Sequence, residues 1–544
     1  MTFQASTSKV CTGLVLLAGL LIGACAPGSS TSPGTTASSK PAEQGQYGTL
    51  TVATPAVPST VDPAILAGGA HYAQQSLTGQ LVIHGPIPSN STKLHGPQDL
   101  VGELAESWTR DADGSYTFTL RDMVSEFGNP LTSDDVKYTW QRNQTLGPIF
   151  NAIGNAVNID TKNPIEVIDA KHFKLRATSP GPDVLAGLVQ FYLGVLDSVE
   201  VKKHATADDP WAKTWMTTHS AGYGPYTVSA FVPGDTLTLA ANPNYWQKSK
   251  GLPGFKTVII RQVPDAGTRA SLIASGQVDF VTSVAFARLK NLSEAKGVRI
   301  AVVPTLVGAF LTFDGKKPPF DNPDARRAVS VALDREVLAN TGFAGYAKPM
   351  YSLFVDPLGV THPAGEDKYT KYDLNLAKSL VAKVPGGISF QMTYSSGADP
   401  EIIAMAQVMQ QQLALANIKM DLNPVTPAQA SAGLTQFQSA LSGGIGPLIP
   451  DAGYLAKLEW YGPSSLFAPG YTNPRVTQLI DGLQSGQTKT RDADITEMLG
   501  ILGNDMPSIP LIQQPFTWVF ANGVTGEYGN PAQGINYEYL KRSS

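Results

Sequence analysis

The chain changes character at residue 25. Val10 to Ala24 is a run of apolar and small residues that follows a single lysine, Lys9, and Cys25 closes it; Ala26 to Gln46 is then dominated by Ser, Thr, Gly and Pro. The first stretch falls short of the ~20 apolar residues that a bilayer span requires. Its length and small-residue close suit a signal-peptide hydrophobic region. The second stretch cannot bury enough apolar surface to fold and reads as a flexible tether. Folding is thereby left to the residues from 47 onward. Cys11 and Cys25 are the only cysteines, so that body must hold itself without a disulfide framework or a cysteine zinc site.

The residues Leu21-Ile22-Gly23-Ala24-Cys25 resemble the bacterial lipobox. The resemblance implies a signal peptide over 1–24, a diacylglycerol on the Cys25 thiol, a tether over 25–46 and a body held outside the cytoplasm at the cell membrane. An ordinary signal peptide with an incidental cysteine is the alternative.

Hydrophobic residues make up 42% of the 544 and charged residues 15%, with a net charge of −4. Sizeable cores are therefore available, and more than one domain is expected at this length. A nucleic-acid footprint needs a basic patch or stripe, and no Lys/Arg run offers one. The histidines, His71, His84, His95, His172, His204, His219 and His362, are scattered, and no HExxH, phosphate-binding Gly-rich loop or GxSxG elbow occurs. Nothing in this inventory speaks for catalysis, a metal or a cofactor.

Along the body, Leu50 to Ala53 reads as a strand. Glu106 to Arg121 reads as a hairpin turning at Asp113-Gly114, with Tyr116, Phe118 and Leu120 alternating after it. Thr132 or Ser133 caps a helix that carries Val136 and Trp140 on one face. A second hairpin spans Gly224 to Trp246 around Pro233-Gly234-Asp235. Pro318 to Leu338 reads as one helix, capped by Asn322, with Val329, Ala332, Leu333 and Val337 in a stripe. Asp399-Pro400 opens another, with Ile402, Ala406, Met409, Leu413 and Ala416 on one face and Asn417 at its end. "IKMDLNPV" alternates as a strand directly after it. Hairpins first and a strand–helix–strand rhythm later describe an α/β body of two lobes.

Five blocks carry a resemblance to a known family: "LAESWTRDADGSYTFTLRDMVSEFGNPLTSDDVKYTW", "GYGPYTVSAFVPGDTLTLAANPNYW", "LIASGQVDFV", "PPFDNPDARRAVSVALDREVL" and "YDLNLAKSLV". In this order they resemble the extracytoplasmic solute-binding proteins of family 5, which serve peptide- and nickel-type ABC importers. The resemblance implies the two-lobed periplasmic-binding fold with an extra subdomain, mixed sheets flanked by helices and a hinge between lobes. The larger lobe would take 47–304, with the extra subdomain at about 69–212, and again 508–544; the smaller lobe would take 305–507. Ligand would be enclosed between lobes by hinge closure, and the partners would be a peptide or small-molecule ligand and membrane permease subunits. Gly224, Pro225, Tyr226, Asn242, Tyr245, Trp246, Asp321, Arg326 and Arg327 are expected to serve the fold and not the ligand.

In peptide-binding relatives an acidic residue holds the ligand's α-amino group, a pairing favoured because a charge-assisted hydrogen bond in a closed cleft is strong. The corresponding segment here looks like Gly443 to Gly462, which makes Asp451 the candidate anchor; a solvent-facing loop aspartate is the alternative. Dipeptide binders also clamp the ligand carboxylate with an arginine in the loop equivalent to Thr393 to Glu401, and no arginine stands there. That favours oligopeptides over strict dipeptides. Tyr394, Tyr454 and Trp460 are the aromatic candidates for the pocket, ahead of Tyr461 and Trp518; core packing or a place on the lobe surface is the alternative for each. An oligosaccharide, an opine-like conjugate or a metal chelate stays open as ligand, and a cell-surface hydrolase or a sensory lipoprotein stays open as function. No heptad or exposed patch points to an oligomer, so a monomer is expected.

Overall fold

The strand read at Leu50–Ala53 lies in the middle of a seven-stranded sheet. The computed structural model describes residues 47–543 apart from 66–70, 86–99, 148–149, 152–153, 156, 181–183, 304, 356–357, 399, 427–428, 431–436, 446–450, 463–464, 466–467, 486–489, 528 and 531–533. The signal peptide, Cys25 and the tether lie outside the described residues, as does Asp399.

Across this first sheet the strands run Val298–Val303, Phe516–Ala521, Phe280–Thr282, Tyr47–Thr54, Phe255–Gln262, Thr236–Ala241 and Tyr226–Val232. Tyr47–Thr54 is parallel to both of its neighbours, and the other pairings are antiparallel. The hairpin read around Gly234 supplies the last two strands, with Gly234 at φ 73 in the left-handed region its turn requires. The "GYGPY" block closes against the His71–Leu77 helix. A Cβ on Gly224 would stand 2.6 Å from the Leu77 carbonyl carbon, so only glycine lets the two backbones meet.

A second, six-stranded sheet runs Lys348–Pro349, Ile509–Gln513, Gly308–Phe313, Ser439–Ile445, Ile388–Ser395 and Ile418–Val425. Its last two strands are parallel and joined by the helix Pro400–Leu415, which buries Ile402, Met405, Ala406, Met409 and Leu413. The chain passes from the first sheet to the second between Val303 and Gly308 and returns between Gln513 and Phe516. Ile509–Gln513 pairs with Gly308–Phe313, so the return to the first sheet comes after Gln513, later than the expected 508. The two crossings are stitched together: Thr305 Oγ1 donates to the Gln514 carbonyl at 2.5 Å, and Gln513 Nε2 donates to the Thr305 carbonyl at 2.7 Å.

A four-stranded antiparallel sheet is built on the first hairpin, in the order Ala105–Arg110, Tyr116–Leu120, His172–Leu175 and Ile165–Val167. Phe118 stacks on Phe173 at 5.2 Å between ring centres. The helix Ser133–Leu146 covers it, opened by Thr132, whose N–H and hydroxyl both donate to the Asp135 carboxylate.

The stretch from 318 to 338 departs from the single helix expected. It forms two helices, Pro323–Val331 and Arg335–Phe343. Asn322 caps the first, accepting from the Asp324 N–H at 2.9 Å. Asp334 starts the second by accepting from the N–H groups of Glu336 and Val337, a competing cap that ends the run of helical hydrogen bonds. Val337 consequently leaves the apolar stripe and stands 42% exposed. Arg326 and Arg327 dock the first helix onto the carbonyls of Asp505 and Asn504.

Candidate functional site

The segment Gly443 to Gly462 contains the helix Ala452–Trp460, whose side chains at Tyr454, Leu455, Glu459 and Trp460 are all buried. Asp451 starts it. Asp451 Oδ1 accepts from the Tyr454 N–H at 2.8 Å, as an N-cap does. Its Oδ2 faces Arg491 Nη2 at 2.5 Å, with the two side chains 13% and 38% exposed. Both oxygens of this candidate anchor therefore have partners within the chain.

The helix is packed from two directions. One apolar core joins Leu188, Val189 and Tyr192 from the first half of the chain with Phe310, Met350, Leu353 and Phe354 and with Tyr454, Leu455, Trp460, Leu479 and Leu483. Polar contacts follow the same route: the Gln484 carbonyl accepts from Asn158 Nδ2 at 2.7 Å and from Ser179 Oγ at 3.3 Å, while Gln484 Nε2 donates to the Gly453 carbonyl at 2.9 Å. Residues on either side of the sheet crossing thus close around one helix.

Within that core Glu459 is 5% exposed and has no hydrogen-bond or ion-pair partner among the described residues. Burial pushes its carboxyl well above the usual carboxylate range. Burial, and then the charge of Glu459, push the Tyr454 hydroxyl up to about 12. The Trp460 ring lies 5.2 Å from that of Phe354, and its indole N–H has no acceptor among the described residues. Burial holds this carboxyl as the neutral acid; a cation brought beside it would favour its ionised form, and aromatic ring faces also attract positive charge.

Tyr454 and Trp460 both lie on this helix and in the same apolar core, and Asp451 stands at its start. Tyr394 is not with them; it lies on the strand Ile388–Ser395, opposite Pro424, in the separate core around the second sheet. Tyr461 donates to Asp481 at 2.8 Å, and Trp518 is buried in the first sheet. In the loop that lacks an arginine, Glu401 accepts from the Phe286 N–H at 2.8 Å, joining the starts of two helices, Pro400–Leu415 and Phe286–Glu294. Sequence reading missed Glu459, since a glutamate inside "LAKLEWYG" looks like one more solvent-facing helix residue. Among the described residues no three of His, Cys, Asp or Glu converge as a metal site, and no helix is long and apolar enough to cross a membrane.

The profile described as bacterial extracellular solute-binding proteins, family 5 Middle, matches residues 99–459. The chain is 24% identical over 491 residues to the protein named "Probable D,D-dipeptide-binding periplasmic protein DdpA" of Escherichia coli (strain K12), covering 89% of this chain and 92% of the relative. It is 25% identical over 455 residues to the glutathione-binding protein GsiB of Shigella flexneri, covering 80% and 85%. Among solved structures, the dipeptide-binding protein of Pseudoalteromonas sp. SM9913 in complex with Met-Leu superposes with a TM-score of 0.76 at 18% identity, over 91% of this chain and 100% of that one. The binding protein AgaA of A. tumefaciens R10 with agropinic acid gives 0.74 at 23% identity, over 91% and 99%.

Proposed function

The chain belongs to the bacterial extracellular solute-binding proteins of family 5, the substrate-binding components of ABC importers and not enzymes, and from that premise we propose that its solute is a peptide, an oligopeptide in preference to a strict dipeptide. The part built on the seven-stranded sheet acts as the larger lobe and the part built on the six-stranded sheet as the smaller. The stitched crossings at Thr305 and Gln514 are the hinge, and ligand stabilises the closed arrangement by binding it better. The protein works as a monomer, held to the cell membrane by lipid on Cys25, and delivers its load to a permease.

The observation that carries the reading is the family match over 99–459, joined to the buried carboxyl of Glu459 within the matched span, which has no partner among the described residues. We assign the ligand's positive charge to Glu459 and its apolar neighbours to Tyr454 and Trp460. Asp451, already engaged by Arg491 and by the helix it caps, shapes the site from behind. The absence of an arginine from Thr393 to Glu401 removes the dipeptide carboxylate clamp and favours ligands held along their backbone.

Isothermal titration of the purified protein with alanine peptides of increasing length, each with a free amino terminus, tests this. Tighter binding of tripeptides and longer peptides than of dialanine, weakened at least about tenfold in Glu459→Gln, is expected; that loss corresponds to ~1.4 kcal/mol. No heat with any peptide, together with binding of a sugar or a metal chelate, would replace the peptide by that solute and leave the transport role standing.

A further inference from the structure

Three distant parts of the chain meet around a second buried polar site. Gln75 comes from the helix His71–Leu77, Glu103 follows the strand Leu100–Gly102, and Asn536 and Glu538 flank the start of the 3-10 turn Tyr537–Tyr539. All four line one small, partly open cavity with room for a guest about the size of a water molecule. Glu103 is 6% exposed, Glu538 4% and Gln75 9%.

The walls are rich in acceptors. One oxygen of Glu103 takes the Gln80 N–H at 2.6 Å, and Glu538 Oε2 takes the Tyr245 hydroxyl at 2.5 Å. Gln75 Oε1 and Asn536 Oδ1, both shut off from water, accept no hydrogen bond from the described residues. No lysine, arginine or histidine among the described residues pairs with either carboxylate.

Two carboxyls and two amide oxygens thus line one small cavity, with no side-chain cation paired to them among the described residues. We propose that this cavity binds a hard cation of the calcium class, held by Glu103, Glu538, Gln75 and Asn536. Calcium takes 6–8 oxygen ligands in flexible geometry, and bidentate carboxylates with two amide oxygens reach that number. Magnesium is disfavoured, since it holds on to several waters for which the cavity has no space. The ion would fasten the end of the chain to the His71–Leu77 helix and leave the ligand helix untouched.

The test is metal content and thermal unfolding of the purified protein at pH 7.5, with EDTA and then with calcium chloride. About one calcium per chain after dialysis, a midpoint lowered by about 3 °C or more in EDTA and its recovery on adding calcium are expected. Glu103→Gln and Asn536→Ala should each remove or weaken that recovery; Asn536→Ala serves if the buried glutamate variant does not fold. No bound metal and a midpoint indifferent to EDTA and calcium, but rising as the pH is lowered, would overturn the proposal and assign the site to two carboxyls sharing a proton.

Discussion

Arg142 and Asp62, 80 residues apart, face each other through two parallel hydrogen bonds, Nη1 to Oδ1 at 2.7 Å and Nη2 to Oδ2 at 2.6 Å, with both side chains wholly buried. Arg142 Nε also donates to the Trp211 carbonyl at 2.9 Å. The pair ties the loop after the first strand to the helix Ser133–Leu146. Removing one partner of such a pair strands the other charge in the interior, at a cost of about 3–5 kcal/mol. Arg142→Met should lose that much in urea unfolding. The double variant Arg142→Met, Asp62→Leu should recover most of it, because then no buried charge is left alone.

Glu459 presents the opposite case, a buried carboxyl with no hydrogen-bond or ion-pair partner among the described residues. Glu459→Leu should raise the melting temperature of ligand-free protein, since a buried carboxyl with no hydrogen-bond partner among the described residues is replaced by an apolar group. The same change should abolish ligand binding. A lowered melting temperature would show that the carboxylate is held by the fold and not kept for a ligand.

Asp451→Asn tests the division of labour along the same helix. Asparagine still caps a helix but gives up the ion pair with half-exposed Arg491. A stability loss of about 1 kcal/mol or less is expected, with ligand affinity changed less than about threefold. Affinity reduced tenfold at unchanged stability would move the anchor from Glu459 to Asp451.

Glu126 gives the fold a pH dependence. Burial first, with Asp197 and Glu200 adding repulsion, raises its carboxyl from 4.5 to about 7, although Ser220 and the Gly222 N–H oppose the shift. The folded state therefore holds a proton that the unfolded state releases. The associated stability is complete below about pH 4.5 and is lost as the pH rises through about 7, by roughly 3 kcal/mol at ~1.4 kcal/mol per pH unit. Glu126→Gln should flatten the difference in urea midpoint between pH 5 and pH 8 relative to the wild type; an unchanged difference would place the proton elsewhere.

What the sequence made legible was local chemistry. The Asp113-Gly114 turn, the Asn322 cap and the alternating "IKMDLNPV" strand each follow from neighbours a few residues apart, and each formed. The Asp334 cap was present in the text too, but the apolar spacing through Leu333 and Val337 concealed it. The site was less legible, because its character comes from distance. Nothing next to Asp451 announces Arg491, and nothing in the sequence around Glu459 announces that residues near Tyr192 and Phe354 will shut it off from water. The meeting of Glu103 with Glu538 is likewise made by the fold alone.

Native mass spectrometry of the protein purified without denaturation, side by side with Glu459→Gln, tests the central claim most directly. Co-purifying masses that fragment as peptides of three or more residues, present in the wild type and lost from the variant, are the predicted result. A single non-peptide mass retained equally by both would contradict it.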